Sequence, residues 1–203
     1  MKKLIITIVI LFITVLSAYS QNLKLKKDNN LVDEIAARLS FEVGISNSYP
    51  IQNLSKANTT GNYQFAVSLY GKLSDKFSLF FNYSYIKFGY SQDYEISELY
   101  YLPRYTLRSY NIGTNYSYKY KNHIPFVEAG IGLYSFYVIE PLPPPDIVKE
   151  VSKTQFGTNL GAGYRFLFDK RFGLFIKSKF HTFFYNTKNW SFWNLSGGLY
   201  LKF

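Results

Sequence analysis

From residue 35 to its last residue the chain alternates apolar and polar side chains with a period of two, in one segment after another. Successive side chains of a strand point to opposite faces, so each segment reads as a strand with one apolar and one small or polar face. In the first, Ile35, Ala37, Leu39, Phe41, Val43 and Ile45 oppose Ala36, Arg38, Ser40, Glu42, Gly44 and Ser46. Six more follow at 62–71, 77–88, 105–118, 125–138, 154–167 and 172–184. The eighth runs to the carboxy terminus. It sets Trp193, Leu195, Gly197, Leu199, Leu201 and Phe203 against Asn194, Ser196, Gly198, Tyr200 and Lys202. In a soluble protein such a bare apolar edge invites aggregation. The closing strand of a membrane barrel requires it, with lipid on one side and a polar lumen on the other.

The connectors alternate in length. Residues 72–76, 119–124 and 168–171 are short, 47–61, 89–104 and 139–153 are long, and 185–190 is intermediate. Tight turns at one end and long loops at the other predict an even-stranded barrel with both termini periplasmic. Pro141, Pro143, Pro144 and Pro145 make 139–153 an extended, stiff loop, because consecutive prolines cannot join a ladder.

A secreted soluble barrel would also alternate, but would place its charges outside and its large apolar residues around a ligand cavity. Here the face opposite the aromatics is rich in Gly, Ser and Asn and carries Arg38, Glu42, Glu128, Arg165, Lys177 and Lys179. Turning an Arg or Lys to lipid near the midplane costs ~2–4 kcal/mol. The small polar face therefore lines the lumen. The expected fold is all-β, an eight-stranded antiparallel up-and-down transmembrane β-barrel. Eight strands leave room only for side chains, so the lumen charges should pair. Counting back through 139–153 sets Glu128 opposite Arg165, and these two are expected to interact. A lumen charge cluster has a second reading, as a path for protons or ions.

The amino terminus adds a destination. Lys2 and Lys3, the apolar run Leu4–Leu16 and Ser17-Ala18-Tyr19-Ser20 have the layout of a signal peptide cut after Ser20. The run is short for a helical span of ~20 residues. The division expected is signal peptide 1–20, periplasmic lead-in 21–34 and barrel 35–203, with the product in the outer membrane. With no cysteine, a lipoprotein anchor, disulfides and thiol metal sites are excluded. Tyr and Phe, 20 and 19 residues, suit the aromatic girdles of a membrane barrel. The net charge of +10 includes the two signal lysines. Export argues against nucleic acid as the counterpart, leaving anionic lipid headgroups, polyanionic surface glycans or merely solvated loop lysines.

Candidate chemistry is sparse. The two histidines are His123, in a short turn, and His181, on the seventh strand. The stretch from Pro125-Phe126-Val127-Glu128-Ala129-Gly130-Ile131-Gly132 through His181 resembles the last four strands of the lipid A 3-O-deacylase family. The resemblance implies a His and a Ser two residues apart on one strand and a Glu on the next. Here Phe183 stands two after His181, and 191–203 has no acid, so no catalytic residue is expected. Gly161-Ala162-Gly163 fits one strand face rather than a phosphate loop. No metal-ligand spacing and no cofactor motif is present.

The segments Phe156–Phe166, Phe172–His181 and Asn189–Phe203 resemble the OmpX/OmpA-like and PorT-like outer-membrane β-barrel superfamily of Gram-negative bacteria. That resemblance implies a monomeric barrel among outer-membrane lipids. It also implies a closing strand, with Gly197, Leu199, Leu201 and Phe203, read by the barrel assembly machinery. The functional expectation is a structural or surface-loop interaction role toward an extracellular protein or glycan. Tyr94, Tyr100, Tyr101 and Arg104 are the first candidate contacts. The alternatives are a narrow pore for ions or small solutes and a lipid A-modifying enzyme around His181.

Overall fold

The computed structural model describes residues 38–52, 64–88, 104–141, 148–185 and 188–203. The expected signal peptide and lead-in, and Ile35–Ala37 of the first expected strand, lie outside the described residues. Eight strands follow in order: β1 (Leu39–Gln52), β2 (Gln64–Lys72), β3 (Phe77–Phe88), β4 (Arg104–Ser117), β5 (His123–Pro141), β6 (Val148–Leu167), β7 (Phe172–Tyr185) and β8 (Lys188–Lys202). Each pairs antiparallel with the next, and β1 pairs with β8 from Ser40↔Lys202 to Gln52↔Trp190, closing the barrel.

The tight turns sit together with the carboxy terminus. Leu73 and Ser74 donate to Phe77 O, Tyr120 and His123 exchange backbone hydrogen bonds, and Phe168 donates to Phe172 O. Lys121 has φ 54°, the left-handed position that a two-residue hairpin imposes. By the topology of such barrels this end is periplasmic.

The alternation holds along every strand. Glu42, Ser46 and Ser48 are buried while Ile45 is 66% exposed, and Asn159 is buried beside Leu160 at 64%. A stripe of Val, Ile, Leu and Phe exposed this far has lipid as its solvent, since each such residue would otherwise forfeit its burial. Charges on this face stand at Lys87 and Arg108 among the described side chains, near the extracellular rim, where Arg108 lies 5.9 Å from the Tyr85 ring. Aromatic pairs mark both rims: Phe77–Tyr116 and Phe168–Phe172 below, Tyr83–Tyr110 and Phe180–Trp193 above. His123 belongs to the lower girdle rather than to a solvated turn, hydrogen-bonded to Tyr164.

Several strand ends extend past the sequence expectation; β8, for one, begins at Lys188. β1 continues through Pro50 to Gln52 along β8, and the β5–β6 ladder continues to Pro141↔Val148. Proline is tolerated near strand ends, where few further ladder bonds are lost. The 139–153 connector thus shrinks to 142–147, and its remaining prolines lie outside the described residues.

Glycines on the inner face have a packing role. Gly44 and Gly198 are cross-strand partners, and a Cβ on Gly44 would stand 2.8 Å from the Phe175 ring. Phe80 covers the Gly113–Gly130 pair in the same way. Large inward rings are thus laid over glycine pairs, which keeps a narrow tube filled without overpacking.

Candidate functional site

The lumen is the one place where the fold gathers chemistry-bearing side chains among the described residues. It is layered. Near its periplasmic half, β1 brings Glu42 to the axis, fully buried. Arg165 Nε of β6 donates to Glu42 Oε1 at 2.6 Å and Lys177 Nζ of β7 donates to Oε2 at 2.7 Å. The Tyr70 hydroxyl of β2 donates to Oε2 at 2.8 Å and stands 3.2 Å from Glu128 Oε2. Lys179 Nζ lies 2.8 Å from Glu128 Oε1, an ion pair by distance whose angles fall short of a hydrogen bond. Lys177 Nζ also donates to Ser68 Oγ at 2.9 Å. The Arg165 guanidinium is sandwiched by rings, 4.0 Å from Phe126 and 4.4 Å from Tyr70, and Lys179 lies 4.6 Å from Phe80. Burying charge is tolerable when it is paired and its remaining protons meet π faces or hydroxyls.

The expected Glu128–Arg165 pair is not the one formed. Glu128 is registered against Gly161 and Arg165 against Ile124, because the ladder runs on to Pro141↔Val148, past the loop bounds read from the sequence. Glu42 takes Arg165 from across the barrel instead, a contact between strands far apart in the sheet. Arg38 is not in this layer; it precedes β1 and lines the periplasmic mouth.

Toward the extracellular side the lumen changes to amides and hydroxyls. Asn194 Nδ2 donates to Ser46 Oγ at 3.2 Å, Ser48 Oγ at 3.1 Å and Gln64 Oε1 at 3.2 Å, and Ser48 donates to Gln64. Asn159 Nδ2 donates to Asn111 Oδ1 at 3.0 Å. Beyond them Ile86, Leu107, Tyr134, Phe136, Phe183 and Phe192 form a buried plug, with Trp190 packed against it. Tyr134 and Phe183 stack at 5.1 Å. At the opposite end Ile124, Leu167 and Tyr200 form a smaller apolar floor.

His181 sits under the plug. Its ring stacks on Phe192 at 4.5 Å and its Nδ1 lies 2.9 Å from the Tyr134 hydroxyl. The group at that nitrogen is a phenol rather than the carboxylate that would orient a base. Phe183 fills the position a nucleophile would need, and Ser191 donates to Thr182 instead. No group of His, Asp or Glu able to hold a metal occurs among the described residues.

Of the closing-strand residues, Leu199, Leu201 and Phe203 face lipid, and Gly197 lies on that same face. Tyr94, Tyr100 and Tyr101 lie outside the described residues, as does the side chain of Arg104 at the start of β4. Tyr70 is the residue that sequence reasoning passed over. Its signal was a large phenol on a face otherwise composed of Gln64, Ala66 and Ser68.

Neither a family model nor a curated protein matches the chain. Solved structures do. Neisserial surface protein A matches with a TM-score of 0.61 at 13% identity, over 81% of this chain and 97% of that one. The outer membrane protein OprG from Pseudomonas aeruginosa matches with a TM-score of 0.50 at 9% identity, over 81% and 95%. At such identities the likeness is one of fold. Closed, lipid-faced and filled, the chain has the fold of small outer-membrane β-barrels.

Proposed function

We propose that this protein is a monomeric outer-membrane barrel, exported by the signal peptide 1–20, that serves as a rigid membrane element presenting its extracellular loops to a protein or glycan. The observation that carries the reading is the filled lumen. Ion pairs, an amide layer and the aromatic plug occupy its length, so the barrel offers a scaffold rather than a passage. The strands add support. A membrane-spanning strand needs about 9–11 residues. β2 has 9 residues, whereas β5 has 19 and β6 has 20, so that hairpin runs well past the extracellular membrane surface. On this reading the outward Gly197, Leu199, Leu201 and Phe203 form the strand that the barrel assembly machinery engages, and outer-membrane lipids are the surrounding partner.

Planar-bilayer recording tests it directly. The purified, folded protein is expected to give no single-channel steps. Reproducible unitary conductance would overturn the scaffold reading in favour of the narrow pore.

A further inference from the structure

The periplasmic mouth holds a cavity of about 90 Å³ whose charge the scaffold role does not use. Arg38, Lys72, Lys119, Arg165 and Lys202 line it, against one carboxylate, Asp75. They arrive from different places. Lys202 ends the closing strand, Lys72 ends β2, Lys119 lies in the turn after β4, and Arg165 belongs to β6. Like charges at this spacing repel, and Lys72 and Lys119 both press on Lys202. A fold that only needed a floor would not converge them here.

Arg165 joins this lining from the buried interior: its side chain is 5% exposed and its Nε is held by Glu42. Its guanidinium lies among the Phe126, Tyr70 and Tyr200 rings, so it adds positive charge to the wall of the cavity. Tyr200 and Tyr70 flank the same space, and Ser40, Ser78 and Ser117 add hydroxyls. One water needs roughly 10–15 Å³ measured in this way, so the space admits a group of several heavy atoms. Converging cations and neutral hydroxyls are the donor set that a phosphate group takes.

We propose that the periplasmic mouth is a binding site for a phosphate group, held by Lys72, Lys119 and Lys202 at the rim, with the Arg165 charge in the wall behind them. The group can come from a soluble phosphate in the periplasm or from the headgroup of an anionic phospholipid in the periplasmic leaflet.

Backbone amide NMR of the full mature protein separates the sources. In zwitterionic detergent, inorganic phosphate is titrated against potassium chloride at matched ionic strength. In a second arm, phosphatidylcholine nanodiscs are compared with nanodiscs containing phosphatidylglycerol. Saturable shifts at Ser40, Ser117 and Tyr200, with Phe183 and Phe192 still, are expected in at least one arm. A response to inorganic phosphate identifies a soluble ligand; a response to phosphatidylglycerol alone identifies the lipid. Silence at the mouth in both overturns the site. Lys119→Gln with Lys202→Gln should weaken the response at least tenfold, since each removes a charge-assisted contact. Lys170→Gln, in another periplasmic turn but outside the cavity, should leave it unchanged. An equal loss in both variants means diffuse surface charge and overturns the proposal. Each variant run unheated and boiled on a denaturing gel should shift in mobility as the unmodified protein does, which checks that the barrel being titrated is folded.

Discussion

The charged layer around Glu42 and the aromatic plug around Phe183 fill the same tube by different physics. In the lower layer charge pairing sets the contacts: Glu42 meets Arg165, Lys177 and Tyr70 at 2.6–2.8 Å. In the plug the reverse holds. Phe183 stacks on Tyr134 and touches Phe136 and Trp190, with hydrogen bonding peripheral to its packing. One layer should fail on changes of charge even where volume is kept. The other should tolerate changes of chemistry and fail on changes of volume.

Glu42→Gln is the sharpest way to break the first half of that contrast. The substitution keeps size and leaves Arg165 and Lys177 facing an amide. Removing one partner of a buried pair costs about 3–5 kcal/mol. Denaturant unfolding in detergent, followed by tryptophan fluorescence, should show a correspondingly lower midpoint with an unchanged slope. A cost below roughly 1 kcal/mol would mean that water reaches the layer and screens it. Phe183→Ala tests the other half and should cost about 3 kcal/mol as a cavity opens in the plug. Phe183→Leu should stay within roughly 1.5 kcal/mol, because volume is nearly kept. If Leu proves as costly as Ala, ring stacking rather than filling holds the plug.

Tyr70→Phe sits between the two. It keeps the ring against Phe80 and Arg165 and deletes only the hydroxyl shared by Glu42 and Glu128. Hydrogen bonds to charged groups are worth about 1.5–3 kcal/mol. The loss should fall in that range, and combining it with Glu42→Gln should give less than the sum, since both act on one network.

The contrast also explains what the sequence could disclose. Strand number, the inward face and the inward glycines follow from a period of two, which is local. The layer in which Glu42 sits was readable too, because charge on a lipid face is prohibitive. Its partners were not. Arg165 is 123 residues away and Lys177 is 135, and only the closure of β1 on β8 and the tilt of the strands bring them to one level. The Glu128–Arg165 expectation failed for that reason: it followed one hairpin, while the pairing is made across the tube. Pro50 and Pro141 hid the true strand ends, since proline reads as a break while a strand's last residues can accept it. The rings over glycine pairs left a trace that could have been used, in Phe80, Phe126 and Phe175 standing among small residues of the inner face.

The smallest expected effect isolates burial as the cause of the largest. Lys72 and Asp75 form an ion pair at 2.7 Å, as short as Lys177 with Glu42, but Asp75 is almost fully exposed in the first periplasmic turn. The hydrogen bond from Lys72 and its charge hold the Asp75 carboxyl below the usual carboxylate range. A lowered carboxylate contributes stability above its unfolded value, near pH 4, and loses it as the pH falls through the folded one. Solvent and salt screen that contribution at the surface. Asp75→Asn should therefore leave both the denaturant midpoint at neutral pH and the acid-unfolding curve superimposed on those of the unmodified protein. If Asp75→Asn and Glu42→Gln move the midpoint equally, ion pairing as such stabilises the barrel and the distinction between its mouth and its interior collapses. If only Glu42→Gln moves it, the energy lies in excluding water from the lumen, the property on which the proposed scaffold role also rests.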